Sequence, residues 1–108
     1  MYPKAFRFMK SAISKNGIRI RLPEERWQHI IERHGGLDDK QDFLLEAIAN
    51  PDKIIAGNDD ALMAIKELEA GKVLVVVYKE ETATDGFVIT AFPTRRLNSL
   101  NRRIQVWP

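Results

Sequence analysis

The sequence predicts an α+β fold in which two N-terminal helices pack on one face of a curved, mostly antiparallel sheet of four to six strands. Apolar residues recur at helical spacing between residues 23 and 49, whereas the second half of the chain contains β-branched runs bounded by turn residues. A chain of 108 residues has the length of one domain. We therefore expect a single domain over residues 1–108, with residues 1–22 forming a hairpin extension.

The N-terminal extension is predicted to contain two short strands, residues 5–10 and residues 17–22, with a turn at Asn16-Gly17 between them. In the second strand two arginines alternate with three aliphatic residues: Ile18, Arg19, Ile20, Arg21 and Leu22. This alternation predicts a half-buried strand whose arginines face outward.

The first helix is predicted to begin at Pro23, where the missing N–H of proline costs least, and to end near His34, before Gly35-Gly36. Four of its residues share one face at i, i+3, i+4 and i+7 spacing: Trp27, Ile30, Ile31 and His34. That face is expected to pack on the sheet, whereas His29 and Arg33 lie on the other side of the helix.

The second helix is predicted to follow a cap at Asp38-Asp39 and to end at Asn50-Pro51. Its core-facing stripe consists of Phe43, Leu44, Ala47 and Ile48. Both helices thus offer one apolar face to a common sheet.

The remaining elements are predicted from five segments: residues 54–55, 61–69, 72–80, 86–92 and 102–107. Residues 72–80 contain a continuous β-branched run that is typical of a central strand, and residues 86–92 form another strand. Pro93 cannot donate a ladder hydrogen bond, so that strand is expected to end or reach an edge there. Residues 61–69 consist mainly of helix formers in a short segment, which leaves helix and strand both open.

The charges of the chain are unevenly distributed. Residues 1–23 hold six basic residues and residues 86–108 hold four, and neither segment contains an acidic residue. All 15 carboxylates lie in residues 24–85, beside seven basic residues. If the two ends meet in the fold, they form a basic surface suited to a phosphate backbone. The alternative is a solvated rim of arginines.

Several classes of protein are disfavoured by composition. No apolar run approaches the ~20 residues that span a bilayer, and the N-terminus lacks the apolar stretch of a secretory signal. The absence of cysteine excludes disulfides and is compatible with the cytoplasm. His29 and His34 point about 140° apart on a helix and cannot share an ion. The sequence also contains no EF-hand, H-E-x-x-H, Walker or Rossmann pattern, so no metal or other cofactor is expected.

His34 is the first candidate for chemistry. It ends the apolar stripe of the first helix and lies in the last turn, where the helix dipole favours a protonated imidazole. Such a group can exchange a proton near neutral pH. The alternative is a histidine that only packs under the helix end.

Further candidates follow the strand of residues 86–92. By two-residue alternation, Thr90 and Thr94 lie on one side of that strand together with residues 88 and 92. A threonine hydroxyl can donate to a phosphate oxygen, and guanidinium groups bind phosphate through two parallel hydrogen bonds. Four arginines bracket the loop of residues 97–101: Arg95, Arg96, Arg102 and Arg103. This loop either clamps a nucleic-acid backbone or is a solvated loop.

The two tryptophans are interpreted differently. Trp27 is assigned to the core because it lies on the apolar stripe of the first helix. Trp107, near the C-terminus, either stacks on a base or packs at a sheet edge.

Four segments resemble a known family: RLPEERWQHIIERH, LLEAIANPDKI, KVLVVVYK and DGFVITAFPT. Their order and spacing over residues 20–95 are similar to those of the phage-associated barnase–EndoU–colicin–RelE-like (PBECR) nuclease domains. The resemblance implies a helical part followed by a four-stranded antiparallel sheet, and it favours a strand at residues 61–69. It also implies metal-independent RNA cleavage with the substrate lying across the sheet.

Carried over by position, the resemblance points to His34 and to Thr90 or Thr94. His29 and Arg33 belong to the same helix motif, and Lys79 ends the strand motif. Catalytic residues vary greatly across this superfamily, so the match in fold does not establish chemistry.

The working hypothesis is a toxin-like or phage-associated endoribonuclease in which a ribose 2′-OH attacks the adjacent phosphate. His34 is the general acid or base, and Thr94 orients the phosphate. Arg95 and Arg96, with Lys79, stabilise the developing charge, while Arg102 and Arg103 join the substrate-binding set.

The partner is then RNA, either single-stranded or tRNA-like, with a neutralising protein as a further possible partner. The alternatives are a catalytically inactive nucleic-acid-binding module, or an interaction domain that uses its acidic residues 38–60.

Overall fold

The computed structural model describes residues 10–108, which contain seven strands, three α-helices and one 3₁₀ turn. The elements are β1 Lys10–Ile13, β2 Arg19–Leu22, α1 Glu24–Arg33, the 3₁₀ turn Gly35–Leu37, α2 Gln41–Ala49, β3 Lys53–Ala56, β4 Leu62–Glu69, β5 Lys72–Glu80, β6 Asp85–Thr94, α3 Leu97–Asn101 and β7 Gln105–Trp107. The predicted strand over residues 5–10 falls almost wholly outside the described residues, and β1 begins at Lys10. None of the helices in residues 10–108 has the length and apolar character needed to cross a membrane.

All seven described strands belong to one sheet in the order β1-β2-β6-β5-β4-β3-β7. Strand β2 pairs with β6 in parallel, and every other neighbouring pair is antiparallel. The prediction of four to six strands is therefore wrong. The N-terminal hairpin joins the sheet through β2, and β7 extends the opposite edge beside β3, so both ends of the chain add strands.

The sheet curves around its helices. Strands β1 and β7 are the two edges in sheet order, yet Lys15 in the β1–β2 turn places Nζ 4.9 Å from the centroid of the Trp107 ring in β7. The right-handed twist of strands makes such curvature the normal form of a wide sheet. It brings two segments that are distant in sheet order into contact at one end of the sheet.

Helices α1 and α2 pack on one face of the sheet. Trp27 and Ile30 of α1 are buried there, together with Leu44, Ala47 and Ile48 of α2. These residues follow the predicted apolar stripes, whereas Ile31, Phe43 and His34 are only half-buried. The predicted fold of two N-terminal helices on a sheet of four to six strands is wrong, because the sheet has seven strands and a third helix follows β6.

The opposite face, which we call the open face, carries a smaller apolar cluster under α3. Its buried members are Ile55, Met63, Ile65, Val73, Val75 and Leu100. Residues 97–101 were predicted to be a loop, but Leu97 and Leu100 lie at i, i+3 spacing and pack on the sheet as a short helix. This helix covers only the part of the open face nearest β3, β4 and β5.

Two further boundaries differ from the prediction. Asp38-Asp39 does not cap α2, since Lys40 precedes the helix and no side chain caps it. Residues 35–37 instead form a 3₁₀ turn that buries Leu37. Strand β6 continues through Pro93 to Thr94 in register with β5, rather than ending at Pro93.

Candidate nucleic-acid interface

A row of three side chains crosses the centre of the open face. Arg21 on β2 is in register with Phe87 on β6, and Phe87 is in register with Lys79 on β5. Their strand neighbours are buried against the helices: Ile20 and Leu22 beside Arg21, Tyr78 beside Lys79, and Val88 beside Phe87. Because side chains alternate between faces, the three members of the row point to the open face. All three are half-buried.

Asp85 fixes the guanidinium of Arg21. Nε of Arg21 donates to Oδ1 and Nη2 to Oδ2 of Asp85, each at 2.9 Å. These hydrogen bonds hold the pKa of the Asp85 carboxyl below its ordinary value, and the positive charges of Arg21 and Arg19 act in the same direction. The geometry uses two of the five N–H donors of Arg21 and leaves three for a ligand.

A β-bulge determines which side the candidate threonines face. Val77 of β5 pairs with Thr90, whereas Tyr78 pairs with Val88, so Ile89 is the extra residue in β6. Val88 and Ala91 consequently lie in the core under α1 and α2, while Phe92 packs on the cluster of the open face. Alternation then places Thr90 and Thr94 with Phe92 on the open face. The prediction that residue 88 shares this side is wrong, since simple alternation fails at the bulge.

Beyond Thr94 the chain lines an open cavity of about 450 Å³. Its lining includes Arg95, Arg96, Asn98 and Ser99. The backbone N–H of Arg96 donates to Oγ1 of Thr94 at 3.0 Å, which ties the end of β6 to this cavity. Arg95 forms an ion pair with Glu69, in which Nη2 lies 3.4 Å from Oε2. Two guanidinium groups, an amide and a hydroxyl suit an oxyanion such as phosphate.

His34 lies on the other side of the sheet. It follows α1, where its N–H donates to the carbonyl of Ile30 and its own carbonyl accepts from Leu37, both at 2.9 Å. Leu37 is buried in the core beneath α1 and α2. The structure brings Thr94, Arg95 and Arg96 together at the end of β6, but it does not place His34 with Thr90 and Thr94 on one face.

The other predicted binding residues are dispersed. His29 and Arg33 are exposed on α1. Arg102 and Arg103 follow α3, and Nη1 of Arg103 donates to the carbonyl of Ala56 and to Oδ1 of Asn58, both at 3.3 Å. These two arginines therefore lie near β3 and β7, away from the row on β2, β6 and β5.

Sequence reasoning did not assign Arg19, Arg21 or Phe87 to a site. The alternation of the strand showed that both arginines face outward, but their position depends on the pairing of β2 with β6. Arg19 is exposed on the same face as Arg21, and its Nε donates to Oγ of Ser11 at 3.2 Å.

Among residues 10–108, no group of three or more histidine and acidic side chains is placed to hold a metal ion. Comparison of the chain with protein-family models, with curated proteins and with solved structures found no match.

Proposed function

We propose that the protein binds single-stranded RNA across the open face of its sheet. The observation that carries this proposal is the register row of Arg21, Phe87 and Lys79, in which an aromatic ring lies between two cations. Aromatic side chains stack on nucleobases without sequence preference, and flanking cations bind the phosphate backbone. Neighbouring strands are about 4.8 Å apart, so the two cations start roughly 10 Å apart on either side of the ring.

The neighbourhood of the row supports the same ligand. Arg19 lies two residues before Arg21 in β2 and on the same face, and Thr90 follows Phe87 beyond the bulge on β6. The cavity beyond Thr94 lies at the far end of β6, and its two arginines offer a second site for a phosphate. RNA is proposed over DNA because of the family resemblance of residues 20–95. The proposed place of action is the cytoplasm, with which a cysteine-free chain is compatible.

A second candidate is metal-independent RNA cleavage at the end of β6. The specific observation in its favour is the cavity lined by Arg95 and Arg96. The backbone N–H of Arg96 donates to Oγ1 of Thr94, which holds the threonine beside this cavity. In this proposal the arginines stabilise charge on the phosphate, and Thr94 orients it. His34 can serve as proton donor or acceptor only if the substrate bends around the end of the sheet.

Binding is tested with a fluorescently labelled single-stranded RNA and three forms of the protein. Lys79→Gln removes a cation from the row, whereas Lys66→Gln makes the same change on the helix-covered side, where Nζ of Lys66 donates to the carbonyl of Asn50. We expect Lys79→Gln to weaken binding about tenfold and Lys66→Gln to leave it unchanged. Equal affinities in both variants would overturn the assignment to the open face.

Cleavage is tested with the same RNA in the presence of a chelator. The cleavage proposal expects products from the wild type and their loss in His34→Ala and Arg95→Ala. If the protein binds the RNA but the RNA stays full-length, the protein is a binding module without cleavage activity. If the protein does not bind RNA but retains a protein partner at high salt, it is instead an interaction domain. A neutralising protein is one example of such a partner.

A further inference from the structure

A second cavity, of about 300 Å³, lies at the end of the sheet where the β1–β2 turn meets β7. Four of its lining residues carry hydrogen-bonding groups: Lys15, Asn16, Asp60 and Glu80. Trp107 contributes an aromatic wall, and Ile54 and Leu62 contribute apolar surface. We call this space the Trp107 cavity. It combines a flat ring, two carboxylates and two donor groups.

From this combination we propose that the Trp107 cavity binds a guanine base. The ring of Trp107 is only half-buried, and the group over it is the ammonium of the exposed Lys15, 4.9 Å from the ring centroid. An exposed lysine is flexible and can move aside, which leaves the ring face to a planar base.

The polar groups select guanine over the other bases. The Watson–Crick edge of guanine presents two adjacent donors, N1–H and N2–H, beside the acceptor O6. A carboxylate accepts from both donors at once, and Lys15 or Asn16 can donate to O6. Adenine presents an acceptor at N1, which a carboxylate repels.

The two carboxylates are held differently. Glu80 accepts hydrogen bonds from Oγ of Ser14 and from Nδ2 of Asn16, the latter at 2.8 Å, so its position is fixed by the β1–β2 turn. Asp60 lies in the left-handed backbone region at φ 65°, directly after Asp59 at φ 52°. Asp59 and Asp60 are the central residues of the β3–β4 hairpin turn, in which the N–H of Ala61 donates to the carbonyl of Asn58 at 2.9 Å, and positive φ at both positions is usual in such a turn. Because both carboxylate oxygens of Glu80 already accept a hydrogen bond, Asp60 is the carboxylate that we assign to guanine recognition.

The cavity lies near the edge of the proposed RNA surface, but on the other side of β5. Lys79 faces the open face, whereas the next residue, Glu80, faces the helix side and lines the Trp107 cavity. An RNA strand whose phosphate contacts Lys79 brings a base to this cavity only by passing around the end of β5. This inference rests on the proposed function for the source of the base, and a free nucleotide tests it separately.

The experiment titrates the protein with guanosine 5′-monophosphate and, in parallel, with adenosine 5′-monophosphate, which carries the same phosphate charge. The indole N–H signal of Trp107 in a nitrogen–proton NMR spectrum reports binding, and that of the buried Trp27 is the internal control. We expect the guanine nucleotide to shift the Trp107 signal and to bind at least about tenfold more tightly than the adenine nucleotide.

A matched pair of variants assigns the recognition to Asp60. Asp60→Asn and Asp59→Asn each replace a carboxylate with an amide, and asparagine tolerates the left-handed backbone at both positions. Only Asp60 lines the cavity. We expect Asp60→Asn to abolish the preference for guanine and Asp59→Asn to preserve it.

The inference is overturned if both nucleotides bind equally, if neither shifts the Trp107 signal, or if the two variants behave alike. Failure of the RNA proposal gives a different result, because the RNA affinity of Lys79→Gln would then equal that of the wild type. Guanine binding without RNA binding would support the cavity as a site for a free nucleotide.

Discussion

Arg21 and Asp85 join the only parallel strand pair among the described residues through two hydrogen bonds of 2.9 Å each. The pair is partly exposed, with 31% of the Arg21 side chain and 42% of the Asp85 side chain accessible. Exposed ion pairs contribute little to stability. The main consequence of this pair is orientation, because it fixes the guanidinium beside Phe87 in the proposed interface.

The first prediction concerns acid stability. The pKa of Asp85 is lowered in the folded protein, so its contribution to the free energy of unfolding is present above the ordinary pKa of 3.8 and is lost as the pH falls through the lower folded value. Asp85→Asn should therefore unfold with a weaker pH dependence than the wild type from about pH 6 to about pH 2. Urea unfolding across this range measures the difference, and identical slopes would show that the ion pair does not contribute to the free energy of unfolding.

The second prediction concerns the hydroxyl of Tyr78, which is buried and has no hydrogen-bond partner among residues 10–108. A buried polar group without a partner costs free energy, and removing it leaves the apolar ring in place. Tyr78→Phe should raise the free energy of unfolding by about 1 kcal/mol. A loss of stability of similar size would mean that the hydroxyl is bonded in solution.

A third prediction follows from the same residue at alkaline pH. Burial raises the pKa of the Tyr78 phenol above its ordinary value of 10.0, and the negative charge of Glu80 adds to the effect. The unfolded chain then releases the proton before the folded chain does, so the free energy of unfolding falls as the pH rises above 10.0. Tyr78→Phe should lose less stability over that range in denaturant unfolding, with the wild type as the comparison.

The fourth prediction concerns Gly86, beside the β2–β6 junction. A Cβ at this position would lie 2.2 Å from the carbonyl oxygen of Lys79 and 2.8 Å from Cδ1 of Ile20. Because one contact is with backbone, Gly86→Ala should lower the free energy of unfolding by about 3 kcal/mol. Gly36→Ala is the control, since a Cβ there meets nothing within 4 Å. Equal melting temperatures for the two variants would contradict the packing.

The fifth prediction separates the two roles in the row on the open face. In the proposed interface Lys79 contacts a phosphate, so Lys79→Gln should lower the slope of log affinity against log salt concentration by about 0.7 for a single strand. Phe87→Leu removes a stacking ring without removing charge, so affinity should fall with the slope retained. Equal slopes for Lys79→Gln and the wild type would show that Lys79 does not contact phosphate.

Local patterns predicted much of the secondary structure. The alternation around Arg19 and Arg21 and the apolar stripe of α1 each indicate which face of the element is buried. The continuous β-branched run of β5 indicates a strand that is buried on both faces. Helix α3 was missed because its five residues are too few for periodicity to show. The pairing of β2 with β6 was missed because strand order depends on contacts between distant segments.

The candidate site was predicted less well for related reasons. Thr94 and Arg95 are adjacent in the chain and remain together in the fold. His34 reaches them only if the helix and the threonines share one face, and the bulge at Ile89 decides which face the threonines take. A β-bulge inserts one residue and leaves no clear mark in the pattern of residue types.

The parallel pairing of β2 with β6 also determines when the proposed RNA surface can exist during folding. Arg21 and Asp85 are 64 residues apart in sequence, whereas β4, β5 and β6 are successive antiparallel strands joined by short turns. Contacts that close long loops are slow to form, so the β4–β5–β6 meander is expected to assemble before the hairpin docks on it. Until then Phe87 and Lys79 lack their partner arginine. RNA binding should therefore report completion of the native topology, and a chain arrested before hairpin docking should be inert toward RNA.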